Sequence, residues 1–147
     1  MKVVIFDLDG TLANIDKRRD KARKGKRFDW DAFFHPDNIA LDEPNHPVID
    51  LYNMCVSSGY RNVIFSGRSD ISEQETRQWL SSYLEGPLDL TMRRHGDYTK
   101  DAELKKSWLL DRFELEEIHF VVDDRDSVVQ MWRELGLTCF QVDYGGF

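Results

Sequence analysis

The sequence predicts an α/β fold built on an open, parallel, Rossmann-like sheet, and three observations carry that prediction. Short, uninterrupted apolar runs rich in β-branched residues recur along the chain, as strands buried on both faces require. Segments of helical period lie between them. Charged residues stand directly after the apolar runs, where an α/β sheet places its ligand sites. With 147 residues the chain has the size of one domain, so residues 1–147 are read as a single unit.

The elements follow in order. Val3-Val4-Ile5-Phe6 is the first strand. Residues from about 14 to 45 break the alternation and read as an insert after that strand. Val48, Leu51, Tyr52 and Cys55 fall at i, i+3, i+4 and i+7 of a helix that stops before Gly59. Asn62-Val63-Ile64-Phe65 is the second strand, and Ser72-x-x-Glu75 reads as a capping box ahead of Trp79, Leu80, Tyr83 and Leu84. Leu88 to Met92 is a weaker strand, and Leu104, Trp108 and Leu109 mark the next helix. His119 to Val122 is a strong strand; Val128, Met131, Trp132 and Leu135 form a helix stopped at Gly136, and Thr138 to Val142 is the last strand.

Composition excludes several classes. Apolar residues make up 41% and charged residues 32%, which argues against disorder, and no apolar run approaches the roughly 20 residues of a membrane span. Asp7 interrupts the apolar start too early for a secretory leader, so a soluble, cytoplasmic protein is expected. Cys55 and Cys139 form no CxxC pair and read as reduced core residues. Charge is uneven. Lys17 to Arg27 holds eight bases and one acid within a chain of net charge -7, so this segment carries +7 and the remainder -14. Such an insert attracts anions locally, or is simply a solvated loop.

Chemistry gathers at the strand ends. Asp7 and Asp9, with Gly10 and Thr11, crowd two carboxylates at the end of a buried strand, which raises one pKa or demands a cation. Asp123-Asp124 repeats the arrangement, and an all-carboxylate set favours Mg²⁺ over zinc. Ser66-Gly67-Arg68 offers a hydroxyl, exposed backbone N–H groups and a forked cation, the needs of a phosphate. Trp30, Phe33 and Phe34 either anchor the insert or stack on a base, the anchor being favoured. Asp101 either orients a basic partner or caps a helix. The four histidines, His35, His46, His95 and His119, show no ligand spacing.

Asp7-Leu8-Asp9-Gly10-Thr11, Ser66-Gly67-Arg68, a downstream lysine and Asp123-Asp124, in that order, resemble the four motifs of the haloacid dehalogenase (HAD) superfamily of phosphohydrolases. Met92-Arg93, Gly96-Asp97, Lys100-Asp101, Lys105 and the run from Val122 through Met131-Trp132-Arg133 to Gly146-Phe147 narrow the resemblance to the 3′-phosphatase domains of phage polynucleotide kinase/phosphatases. The resemblance implies Asp7 as nucleophile and Asp9 as general acid and base. It implies Mg²⁺ held by the Asp7 side chain, the Asp9 carbonyl, Asp123 and Asp124, with Ser66 and Lys105 on the phosphoryl oxygens and Thr11 bracing the loop. Lys105 is chosen over Lys100 and Lys106 on the motif match. Arg68 and Arg93 become candidates for phosphate or nucleic-acid contacts, and Lys17, Arg18, Arg19 and Arg23 for a small basic cap over the site. The expected substrate is a nucleic-acid 3′ end. A 5′-nucleotidase acting on free nucleotides and a non-catalytic end-binding module are the alternatives. No G-x-x-x-x-G-K-[ST] occurs in these residues, so only phosphatase activity is inferred, in the host cytoplasm if phage-encoded.

Overall fold

Val3–Phe6 forms strand β1 and is buried on both faces in this computed structural model, which describes residues 2–147. Because side chains alternate along a strand, Val4 and Phe6 enter one core and Val3 and Ile5 another. An insert follows. It opens and closes on a two-stranded ribbon in which β2 (Ala13–Asn14) pairs antiparallel with β5 (Glu43–Pro44). Between these lie α1 (Asp16–Ala22), a hairpin of β3 (Arg23–Lys24) and β4 (Arg27–Phe28), α2 (Trp30–Phe34) and a 3₁₀ turn over Pro36–Leu41.

The chain then runs through α3 (His46–Ser57), β6 (Arg61–Ser69), α4 (Glu73–Ser81), β7 (Leu90–Arg93), α5 (Asp101–Arg112), β8 (Ile118–Asp123), α6 (Asp126–Glu134) and β9 (Cys139–Gln141). The main sheet is parallel throughout, in the order β7-β6-β1-β8-β9. The expected Rossmann-like sheet is therefore present. Helices α3 and α4 pack their apolar residues on one face with Tyr52 and Leu80, and α5 and α6 cover the other with Leu109, Val128 and Trp132. Successive connections change direction at β1, between β6 and β8, so the crevice of the fold opens at the carboxyl end of β1.

Several boundaries differ from the sequence reading: α4 ends at Ser81, before Tyr83 and Leu84, and the last strand is confined to Cys139–Gln141 within the expected Thr138 to Val142. Both helix stops at Gly59 and Gly136 hold, each closed by bonds back to the preceding turn. The Ser72 capping box does not form: the Ser72 hydroxyl donates to the Ser69 carbonyl at 3.2 Å, while Ser69 caps the intervening 3₁₀ turn over Asp70–Ser72. Strand β6 extends past Phe65 through the Ser66-Gly67-Arg68 motif, because a bulge inserts two residues between the pairs Ser66–Met92 and Ser69–Arg93. Strand β7 begins two residues later than expected, at Leu90. Cys55 and Cys139 are buried and reduced, and no helix among the described residues is long and apolar enough to cross a membrane.

Candidate active site

The Asp7 N–H donates to the Val122 carbonyl at 2.9 Å, so the first carboxylate is held in line with β1 and next to the end of β8. Leu8 and Leu12, both fully buried, pin the loop that follows. Gly10 has φ +80, and a Cβ there would collide with the Asp124 carboxylate. Glycine is thus needed twice over, for the turn and for the approach of Asp124.

Asp7 is held at both oxygens. Lys105 Nζ donates to Oδ1 at 2.7 Å and the Thr11 hydroxyl to Oδ2 at 2.9 Å, which fixes the plane of the carboxylate. Lys105, buried within α5, also reaches Asp123 Oδ2 at 3.2 Å, whereas Lys100 and Lys106 are exposed. Asp123 accepts further bonds from Trp132 Nε1 at 3.2 Å and from the Asp124 backbone N–H at 2.8 Å. Carboxylate oxygens of Asp7, Asp123 and Asp124 all lie within 4.8 Å of one another. Burial pushes the Asp7 carboxyl well above the ordinary carboxylate range, and Asp123 and Asp124 add to this against the pull of Lys105. Burial, with Asp123 adjacent, carries Asp124 up to about 6. Burial disfavours the Lys105 charge, but Asp123 and Asp7 outweigh it and keep the ammonium protonated. Three carboxylates therefore share one ammonium, and the cluster is short of positive charge. Its side-chain donors are all hard oxygens, so these residues fit a magnesium-like divalent cation.

Asp9 turns away from this cluster. Its Oδ1 accepts from Arg18 Nη2 at 2.8 Å and from Arg68 Nε at 3.2 Å and Nη2 at 2.5 Å, leaving Oδ2 without a donor among the described residues. Both guanidiniums also grip Asp42, Arg18 Nε at 2.9 Å and Arg68 Nη2 at 2.8 Å. Arg68 further donates to Thr76 Oγ1 at 3.0 Å, and Arg18 to the Phe33 carbonyl at 2.9 Å. Burial works to raise the Asp9 carboxyl, yet Arg18 and Arg68 overcome it and hold Asp9 at about 2. Here the sequence reading is corrected: Arg18 and Arg68 are fully buried and committed to aspartates, so neither is an open phosphate-binding cation. Arg18 leaves the exposed bases of the insert because it shares the inward face of α1 with Ala22, its guanidinium 4.3 Å over the Phe33 ring.

Ser66 is buried at the β6 bulge, where its Oγ accepts from the Arg68 N–H at 3.1 Å. Arg93 is tied down by the Gly67 carbonyl at 2.9 Å, the Asp97 carbonyl at 2.9 Å and the Asp101 carboxylate, so it clasps the loop before α5. Asp101 also accepts from Arg125 Nη1 at 2.9 Å, and Lys100, not Asp101, is the N-cap of α5; its partners are the basic residues. Lys17 pairs with Glu43 and Arg23 with Asp20 at 3.0 Å, whereas Arg19, 3.6 Å from Asp16 and 5.8 Å over the Phe147 ring, is half-buried and lines a cavity shared with Gly10 and Asp124. Asp42 and Trp132 are site residues that the sequence reading missed. Trp132 carried a core signal that concealed its polar function, and Asp42 carried none, since its partners lie 24 and 26 residues away.

Comparison with known proteins agrees with this geometry. The family model described as the polynucleotide kinase PNKP phosphatase domain matches residues 1–147. A protein of Autographa californica nuclear polyhedrosis virus, described as a bifunctional polynucleotide kinase/RNA ligase, is 32% identical over 149 residues, covering 96% of this chain and 19% of its own length. The structure of a Pnkp1/Rnl/Hen1 complex contains a chain 35% identical, with TM-score 0.78, over 99% of this chain and 47% of that one. The present chain thus spans less than half of either relative. A haloacid dehalogenase-like hydrolase from Streptococcus pneumoniae shares the fold at 13% identity and TM-score 0.65, over 96% of this chain and 84% of that one. With paired carboxylates at the sheet switch point and a family match along its whole length, this chain belongs to the PNKP phosphatase-domain family and is a phosphatase of the HAD type.

Proposed function

We propose that the protein removes 3′-terminal phosphate from nucleic-acid ends through an aspartyl-phosphate on Asp7, with Mg²⁺ as cofactor. The observation that carries this reading is the contrast between two aspartates two residues apart. Asp7 is fixed at both oxygens, as an in-line nucleophile must be, and Asp9 keeps Oδ2 open for a proton. A carboxylate attacks only when ionised, and burial beside Asp123 and Asp124 works against that state. A divalent cation held by Asp7, Asp123 and Asp124 would restore it and neutralise phosphate charge.

The chain's own groups then supply the steps. Asp7 attacks phosphorus, the bond to the 3′ oxygen breaks, and a proton from Asp9 Oδ2 goes to that oxygen. Asp9 is ionised in the resting site; the negative charge of an arriving phosphate monoester raises its proton affinity, and Oδ2 takes a proton from solvent as the substrate binds, which it then passes to the leaving oxygen. Once the 3′-hydroxyl strand has left, ionised Asp9 takes a proton from water as that water attacks phosphorus, inorganic phosphate departs, and the Asp7 carboxylate is regenerated. Ser66 and Lys105 border the phosphoryl oxygens. One relative belongs to an RNA repair complex, which supports RNA ends as the first substrate to assay.

The test is phosphate release with Mg²⁺ from 3′- and 5′-phosphorylated oligonucleotides and from free 3′- and 5′-mononucleotides. Release from the 3′-phosphorylated strand is expected, lost by about 10⁴-fold or more in Asp7→Asn. Release confined to free 5′-mononucleotides would replace this reading with a nucleotidase.

A further inference from the structure

Lys21 to Arg27 contains five bases and no acid, and Lys21, Lys24, Lys26 and Arg27 have no carboxylate partner among the described residues. The segment is not a loose loop. Strands β3 and β4 pair Arg23 with Phe28 and Lys24 with Arg27 around a two-residue turn, and Gly25, at φ +64, occupies the position that a type II′ turn reserves for glycine. The Asp29 N–H closes the base of the hairpin on the buried Ala22 carbonyl at 2.7 Å, and the Asp29 side chain caps α2 through the Ala32 N–H at 3.0 Å. Trp30 follows at once. Its ring meets Phe28 at 4.6 Å and stacks on Phe34 at 5.9 Å, yet 61% of the residue is exposed. The sequence reading favoured an anchor for this aromatic group; Phe33 is that anchor, and Trp30 lies outside it.

We propose that the β3–β4 hairpin and Trp30 form a binding platform for single-stranded nucleic acid beyond the terminal nucleotide, with Lys24, Lys26 and Arg27 on backbone phosphates and Trp30 under a base. This rests on the reading of the site as a 3′-phosphatase. Unpaired cations beside an exposed, rigidly mounted aromatic ring are the recognition chemistry of a single strand, in which charge tracks the backbone and a ring receives any base. Placement agrees. The helix that carries Arg18 to Asp9 leads directly into the hairpin, which begins about 8 Å further along the axis at 1.5 Å per residue. The remainder of the chain is acidic, so this hairpin is where a polyanion meets attraction.

Two disruptive variants test the platform, Lys24→Gln/Lys26→Gln/Arg27→Gln, all at exposed positions, and Trp30→Ala, with Trp30→Phe as the conservative third. Binding of a labelled 3′-phosphorylated 12-mer is read by anisotropy in an Asp7→Asn background across several salt concentrations. The triple variant should bind at least tenfold more weakly and lower the salt slope by about 2, since three contacts to a single strand contribute about 0.7 each. Trp30→Ala should weaken binding roughly tenfold, with most of it recovered in Trp30→Phe. In the active protein, KM for the 12-mer should rise at least tenfold more than KM for a 3′-mononucleotide. Retained 12-mer affinity in both variants, or an equal rise of both KM values, overturns the platform. Binding is read without turnover, so a wild-type protein that releases no 3′-phosphate sinks the phosphatase reading while the anisotropy still decides the hairpin.

Discussion

Arg18, Arg68, Asp9 and Asp42 form a closed set in which two guanidiniums hold two carboxylates, and the cost of burying four charges is offset only while all are present. One consequence is read in stability against pH. The Asp9 carboxyl lies at about 2 in the folded protein against 3.8 for the unperturbed group, so its contribution is present above about pH 4 and disappears as pH falls through about 2. That contribution is about 2 kcal/mol, and the stability advantage of wild type over Asp9→Asn in urea titrations should shrink across this window. A constant difference would remove the arginines from that role. Trp132 gives a second prediction. Trp132→Phe keeps the aromatic packing but takes a buried donor from Asp123, and Mg²⁺ affinity measured by thermal shift should fall roughly 10-fold or more. Neither effect was legible beforehand: Trp132 sits at helical spacing among Val128 and Met131, and spacing registers the ring while saying nothing of its N–H.

At the level of elements, the loop that follows β1 depends on one glycine. Gly10→Ala imposes a strained φ and drives a methyl group into the Asp124 carboxylate, so the loop and Asp124 cannot both keep their places. A loss of about 1–3 kcal/mol of stability is expected, together with loss of the Mg²⁺-induced rise in Tm; a fully retained rise would show that Asp124 tolerates displacement. The bulge in β6 is the second device. It lets a strand deliver Ser66 and Arg68 while Gly67 stays close to Asp101, where a Cβ would come within 2.6 Å of Oδ1. Strand and helix positions were readable because buried parallel strands leave continuous apolar runs and helices leave a 3.6-residue period. The bulge was not readable, since pairing with β7 creates it, and the Ser72 capping box failed because Ser69 and the 3₁₀ turn satisfied that helix start by another route.

Across the whole molecule, an acidic body surrounds an acidic cluster, and folding gathers Asp7, Asp123 and Asp124 against the single ammonium of Lys105. Mg²⁺ should therefore stabilise the fold as well as serve turnover. At a concentration about 100 times its Kd the expected gain is about 2.7 kcal/mol, seen as a rise in Tm that Asp124→Asn diminishes strongly; an equal rise in both proteins would place the ion elsewhere. The sequence by itself determined the parallel α/β sheet, the acidic motifs at its carboxyl edge and the position of the basic insert, because apolar period, turn chemistry and charge are local properties of the chain. Only tertiary structure decided which cations meet which carboxylates. Arg18 and Arg68 point at Asp9 and Asp42, and the exposed bases lie on a hairpin, because ion pairs form between residues that sheet order and helix packing bring together from distant parts of the chain.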